Sequence, residues 1–132
     1  MIMNIDYMKY NNLEIKSLKH EIVDFSDLIK NIQDHGCTIS DATFEKCRSY
    51  VQELQNKIKV LEDGAAMFLS CVFRLSNARY IQVIVERHYK NKKWDDVADA
   101  CGCSKQHLEK TIYPKAKAEF LEVLQSVGEY DA

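Results

Sequence analysis

The stretch Trp94-Asp-Asp-Val-Ala-Asp-Ala-Cys-Gly-Cys-Ser-Lys-Gln-His-Leu-Glu-Lys-Thr-Ile-Tyr113 decides how this chain is read. Its small, apolar and turn residues fall at the spacing of two short helices that cross closely. Val97 and Ala98 sit where the first helix must face the second, and Ala98 is small, as a close crossing requires. Gly102 follows four residues later and can take the left-handed backbone conformation that ends one helix and turns the chain. Ser104 can then cap the next helix by accepting from a free amide of its first turn, and Leu108 returns an apolar side chain one turn on. The spacing predicts helices from about Trp94 to Cys101 and from Lys105 to Tyr113, joined as a helix-turn-helix.

The residues upstream read as helix too. Apolar positions recur at steps of three and four through Met8, Asn11, Ile15, Leu18, Ile22, Phe25, Ile29 and Ile32, and the pattern stops at Asp34-His35-Gly36. Ser40, followed by Asp41, is the expected cap of a second helix, whose seam runs Phe44, Cys47, Val51, Leu54, Ile58, Leu61, Ala65, Phe68, Val72 and Leu75. Gly64 either lies within that helix or divides it. Two heptad helices joined by about six residues can fold back as a hairpin or pair with a second chain. A lone helix pair exposes much of its seam, so a homodimer through this arm is expected. Ser76 is expected to open the next helix, with Tyr80, Ile81, Val83, Ile84, Val85 and Tyr89 on a broad apolar face. Lys90-Asn91-Lys92-Lys93 forms the turn before Trp94. Pro114 is expected to interrupt or bend the second motif helix, and Lys115 to Val127 reads as a last helix with a frayed end at 128–132. The fold class is therefore all-α: a heptad helical arm over 1–73 and a helix-turn-helix domain over 74–127.

Composition sets the outer bounds. The chain has 132 residues, of which 46% are hydrophobic and 29% charged, with four glycines and one proline. That is about one domain with little room for long loops, and no apolar run approaches the roughly 18 residues that would span a bilayer. No leader pattern opens the chain, so a cytoplasmic protein with no membrane partner is expected. Five cysteines scattered through helical patterns suit reduced, packed thiols better than a disulfide framework. The net charge of −2 is unevenly spread: −3 up to Phe73, +4 from Arg74 to Phe120, and −3 beyond. The basic excess surrounds the motif, the polarity of a DNA-binding module on an acidic arm. Cys101, Cys103 and His107 form Cys-x-Cys-x-x-x-His, but structural zinc takes four ligands at other spacings, and packing beside the turn glycine already accounts for the thiols. No nucleophile triad, phosphate-cradling glycine loop or paired-carboxylate motif is visible, so neither an enzyme nor a cofactor is expected.

The run from Leu75 to Tyr89, the basic turn Lys90 to Lys93, Trp94-Asp-Asp-Val-Ala98, Gly102-Cys-Ser104 and Leu108 together resemble region four of sigma-70-type factors. The run is more similar still to the sigma-region-four-like regulators of phages and prophages, the ArpU and RinA type late-gene activators. The likeness covers about 75–120, and the arm shares only a helical pattern with them. It departs at Pro114, where such proteins continue the helix, and at Thr111, where an aliphatic residue is usual and Ile112 compensates. The resemblance implies a regulator whose helix from Lys105 enters the major groove of double-stranded DNA N-terminal end first. Lys105, Gln106, Glu109 and Lys110 would then read base edges, and Arg79, Arg87, Lys90, Lys92, Lys93 and Ser104 would hold phosphates. It also allows a contact with RNA polymerase. A small terminase subunit of a DNA-packaging machine, or a polymerase- or sigma-binding module without DNA, are the alternatives. Trp94 reads as a hydrophobic anchor of the helix pair.

Overall fold

The computed structural model describes residues 3–131, with side chains through Val127. It is all-helical. After turns over residues 5–10, α1 spans Asn11–Asp34 and α2 spans Asp41–Val72. Then come α3 (Ala78–Ile84), α4 (Trp94–Cys101), α5 (Lys105–His107) and α6 (Tyr113–Asp131), with a wider, five-residue-step turn closing α3 over Val85–Tyr89 and a second one joining α5 to α6 over Leu108–Ile112. Among the described residues no helix is long and apolar enough to cross a membrane.

The chain divides into two compact units. One, Asn11–Gly64, is a helical hairpin. Within it Asn11 Nδ2 donates to the Leu61 carbonyl at 3.3 Å, the Tyr50 hydroxyl donates to Glu21, and Phe25 meets Tyr50 edge-on at 5.0 Å. Early residues of α1 thus face late residues of α2, so the two helices run antiparallel within one chain. The loop has local causes: Gly36 takes φ 76°, and its amide and that of Cys37 return to the Gln33 and Ile32 carbonyls, while Ser40 Oγ caps α2 by accepting from the Thr43 amide. The seam expected from the heptads is the inward face, yet Ile15, Leu18, Ile22, Phe25 and Ile29 are only half-buried and Ile32 and Phe44 are exposed. Two helices have too few neighbours to cover a whole stripe.

The other unit gathers the segment up to Tyr10 with everything from Ala65 onward. Met8, read from the sequence as the first seam position, instead lies ahead of α1, which begins at Asn11. Together with Met3 it packs into a core made by Ala65, Phe68, Cys71 and Val72 of the α2 end, Leu75 just beyond it, Ile84, and Ala116, Phe120 and Leu124 of α6. Residues 3–10 and 65–73, grouped with the arm by their spacing, therefore serve the C-terminal unit. α2 runs unbroken through Gly64. At its other end, Asn77 rather than Ser76 caps α3, accepting from the Tyr80 amide at 2.9 Å. Ser76 instead donates its hydroxyl to Glu119 at 2.9 Å, tying the start of α3 to α6.

Pro114 does not end the helix. Leu108 and Tyr113 both keep right-handed backbone, and the Tyr113 amide reaches the Leu108 carbonyl five residues back. A proline cannot donate to the carbonyl four residues before it and crowds it, and the wider turn just ahead absorbs that conflict. The same turn keeps Leu108, Ile112, Ala116, Phe120 and Leu124, spaced by fours, all buried. Helical backbone continues to Asp131, so the frayed end expected at 128–132 is helical through Asp131; the side chains of 128–131 and all of Ala132 lie outside the described residues.

Candidate nucleic-acid interface

α4 and α5 meet over a small core of Val83, Val97, Ala98, Leu108 and Ile112, all buried. Gly102 stands between them at φ 67°, ψ 33°, and the amides of Gly102 and Cys103 close back on the Asp99 and Ala98 carbonyls at 3.2 and 3.1 Å. Those bonds satisfy the last carbonyls of α4 and set the exit direction of the chain. Ser104 is extended and its Oγ accepts from the His107 amide at 3.1 Å, which starts α5. Gln82 Nε2 adds a 2.8 Å bond to the Ala100 carbonyl, fixing α3 against the end of α4. Cys101 and Cys103 are half-buried against this core, and burial pushes the Cys101 thiol above its usual range. Among the described residues no group of three or more His, Cys, Asp or Glu is placed to hold a metal ion.

Lys105, Gln106, Glu109 and Lys110 are all exposed; Gln106 and Lys110 stand opposite Leu108 on α5 and its continuation, while Lys105 and Glu109 stand to its side. Thr111 is exposed and Ile112 supplies the apolar contact in its place. Lys105 Nζ lies 3.6 Å from Asp95 Oδ1, with both side chains largely in solvent. Such a pair is worth about 0–1 kcal/mol, so Lys105 can leave it for another anion.

The six residues expected at phosphates fall into two groups. Arg79, Lys93 and Ser104 lie on the surface, and neither Arg79 nor Lys93 makes an ion pair within the described residues. Arg87, Lys90 and Lys92 are committed to the turn itself. Glu86 is buried, and its carboxylate takes Lys92 Nζ at 2.6 Å and Lys90 Nζ at 3.0 Å. The hydrogen bond from Lys92 holds Glu86 below the ordinary carboxylate range, against the opposing effect of burial. Arg87 donates to the Lys92 carbonyl at 2.8 Å and lays its guanidinium over the Trp94 ring at 4.5 Å. Arg87, Lys90, Lys92 and Lys93 against the single Glu86 leave the turn with a net charge of +3. Asn91 sits at φ 58°, a conformation asparagine tolerates, and its Nδ2 donates to the Met8 carbonyl at 2.9 Å.

The spacing of residues did not reveal the cluster that joins this turn to the helix from Lys105. Trp94 meets Tyr113 edge-on at 4.6 Å, and Tyr113 stacks on His88 at 5.7 Å with its hydroxyl hydrogen-bonded to His88 Nε2 at 2.6 Å. Burial pushes His88 down to about 4 and Tyr113 up, so the imidazole is neutral near pH 7. Tyr113 is thereby spent inside the fold. No signal in the sequence links residues 25 apart in this way beyond the aromatic character of Trp94 and Tyr113.

Compared with known proteins, the chain matches no protein-family model, no curated protein and no solved structure.

Proposed function

We propose that the chain is a sequence-specific DNA-binding transcriptional regulator of the phage or prophage type, built on a sigma-region-four-like helix-turn-helix, that reads duplex DNA with the helix starting at Lys105. The observation that carries this reading is a set of exposed polar side chains, Gln106 and Lys110 outermost with Lys105 and Glu109 beside them, on a helix whose buried side is locked by Leu108 and Ile112 and whose start is fixed by Gly102 and Ser104. A rigid helix with a polar outer row is what base readout requires: Gln106 can pair bidentately with adenine, Glu109 can accept from cytosine, and a lysine can donate to guanine. Arg79, Lys93 and the first-turn amides behind Ser104 suit the phosphate backbone. Arg87, Lys90 and Lys92 shape the turn, and Lys90 and Lys92 can share a phosphate only while still holding Glu86. The half-buried seam of the hairpin supports dimerisation through Ile15, Leu18 and Ile22.

The test is titration of labelled duplex at about 50 and about 200 mM salt, across which phosphate contacts make affinity fall steeply. Binding that weakens with salt supports the reading, and no binding to any duplex at the lower salt removes it. Light scattering separates the assemblies: a dimer fits a regulator, whereas a ring of many subunits fits a DNA-packaging subunit.

A further inference from the structure

We infer that Lys115 and Lys117 form a second pair of phosphate contacts where the reading helix leaves the major groove, an inference that rests on the DNA-binding reading above. Because right-handed backbone persists through the wide turn at Leu108–Ile112 and past Pro114, these lysines ride on the same helical rod as Gln106 and Lys110. Ala116 is fully buried and fixes the rotation of the rod. Its two neighbours stand about 100° to either side, so Lys115 and Lys117 occupy opposite flanks of the outward row. Both are exposed. From Lys110 to Lys117 the axis advances about 10 Å, a little more than the roughly 8.5 Å depth of the groove, so the two lysines stand at its rim. A helix seated by its N-terminal end therefore brings the two flanks to the two groove walls, where long lysine stems reach phosphates of opposite strands.

Charge bookkeeping agrees. The natural helical partner of Lys115 is Glu119, four residues on, but Glu119 is held by the Ser76 amide and hydroxyl. Lys117 has no acid three or four residues away in either direction. Both ammonium groups are thus left for an external anion. The experiment uses the full chain, a labelled duplex and a salt series, comparing the wild type with the double variant Lys115→Gln/Lys117→Gln, which keeps much of the stems, and with Gln106→Ala. The double variant should lower the slope of log affinity against log salt by about 0.9 per lysine and weaken all duplexes alike, with its melting temperature unchanged. Gln106→Ala should alter sequence preference and leave that slope intact. An unchanged slope in the double variant, with the wild type binding normally, overturns this inference and leaves the reading standing. A wild type that binds no duplex overturns both.

Discussion

The hairpin of Asn11–Gly64 and the unit from Ala65 onward are written with the same apolar period, yet they bury it differently. In the hairpin only Leu54 and Ile58 among the large apolar side chains are buried, while Leu13, Val23, Leu28 and Val60 are more than half exposed. In the C-terminal unit Phe68, Val72, Val83, Ile84, Val97, Leu108 and Phe120 are sealed from solvent. The difference is a matter of neighbours. A stripe on one helix is covered only when several elements surround it, which three and more helices plus the Met3–Met8 segment achieve and two helices do not. One region is a finished core, and the other leaves much of its apolar stripe on the surface.

Substitutions can break or sharpen this contrast. Phe120→Ala removes a sealed ring that meets Phe68 edge-on at 5.2 Å and should cost about 3–5 kcal/mol in a urea titration. Ile22→Ala in the half-buried seam should cost only about 1 kcal/mol in dilute monomer. A cost that grows with protein concentration at Ile22 and not at Phe120 would show a second chain covering the seam. Ala98→Leu, at a buried position in the crossing of α4 and α5, should destabilise the C-terminal unit by about 1–3 kcal/mol through overpacking. A neutral result there would mean the crossing has room that the packing denies.

A further effect, reversible on one and the same chain, is that of pH. His88 is the one histidine out of the four that is not exposed. Its folded value of about 4 lies below the usual 6.5, so the unfolded chain binds the proton more readily. Stability from the neutral ring is therefore fully present above about pH 6.5 and is lost as pH falls towards 4. Between pH 7 and 5 the loss should be roughly 1–2 kcal/mol, read as a lowered melting temperature. An imidazole titration by NMR that places His88 near 6.5 would contradict the packing of the His88–Tyr113–Trp94 cluster.

What the sequence discloses and what it hides follow the range of the forces involved. Gly102, Ser104, Val97, Ala98, Leu108 and Ile112 act on residues within a turn or two, and their spacing alone gives the α4–α5 crossing and the exposed row from Lys105 to Lys110. Gly36 and Ser40 mark the hairpin loop for the same reason. Met8 differs from its expected place because its heptad spacing to Asn11 is local, whereas its burial depends on α2 and α6, distant in the chain. At Pro114 the expectation fails because a proline read alone predicts a helix end, and the wider turn that accommodates it is held by the core beneath Leu108 and Ile112. The commitments of Arg87, Lys90 and Lys92 were hidden as well, since a basic run looks the same whether its charges face solvent or grip a buried Glu86.

The central claim is that the face from Lys105 to Lys110 reads base sequence, and selection of duplexes from a randomised pool tests it most directly. The account predicts that the wild type enriches a defined motif and that Gln106→Ala or Lys110→Ala, each folded with an unchanged melting temperature, relaxes preference at particular positions of it. Enrichment of no motif by the wild type, or of the same motif with equal stringency by both variants, would contradict it.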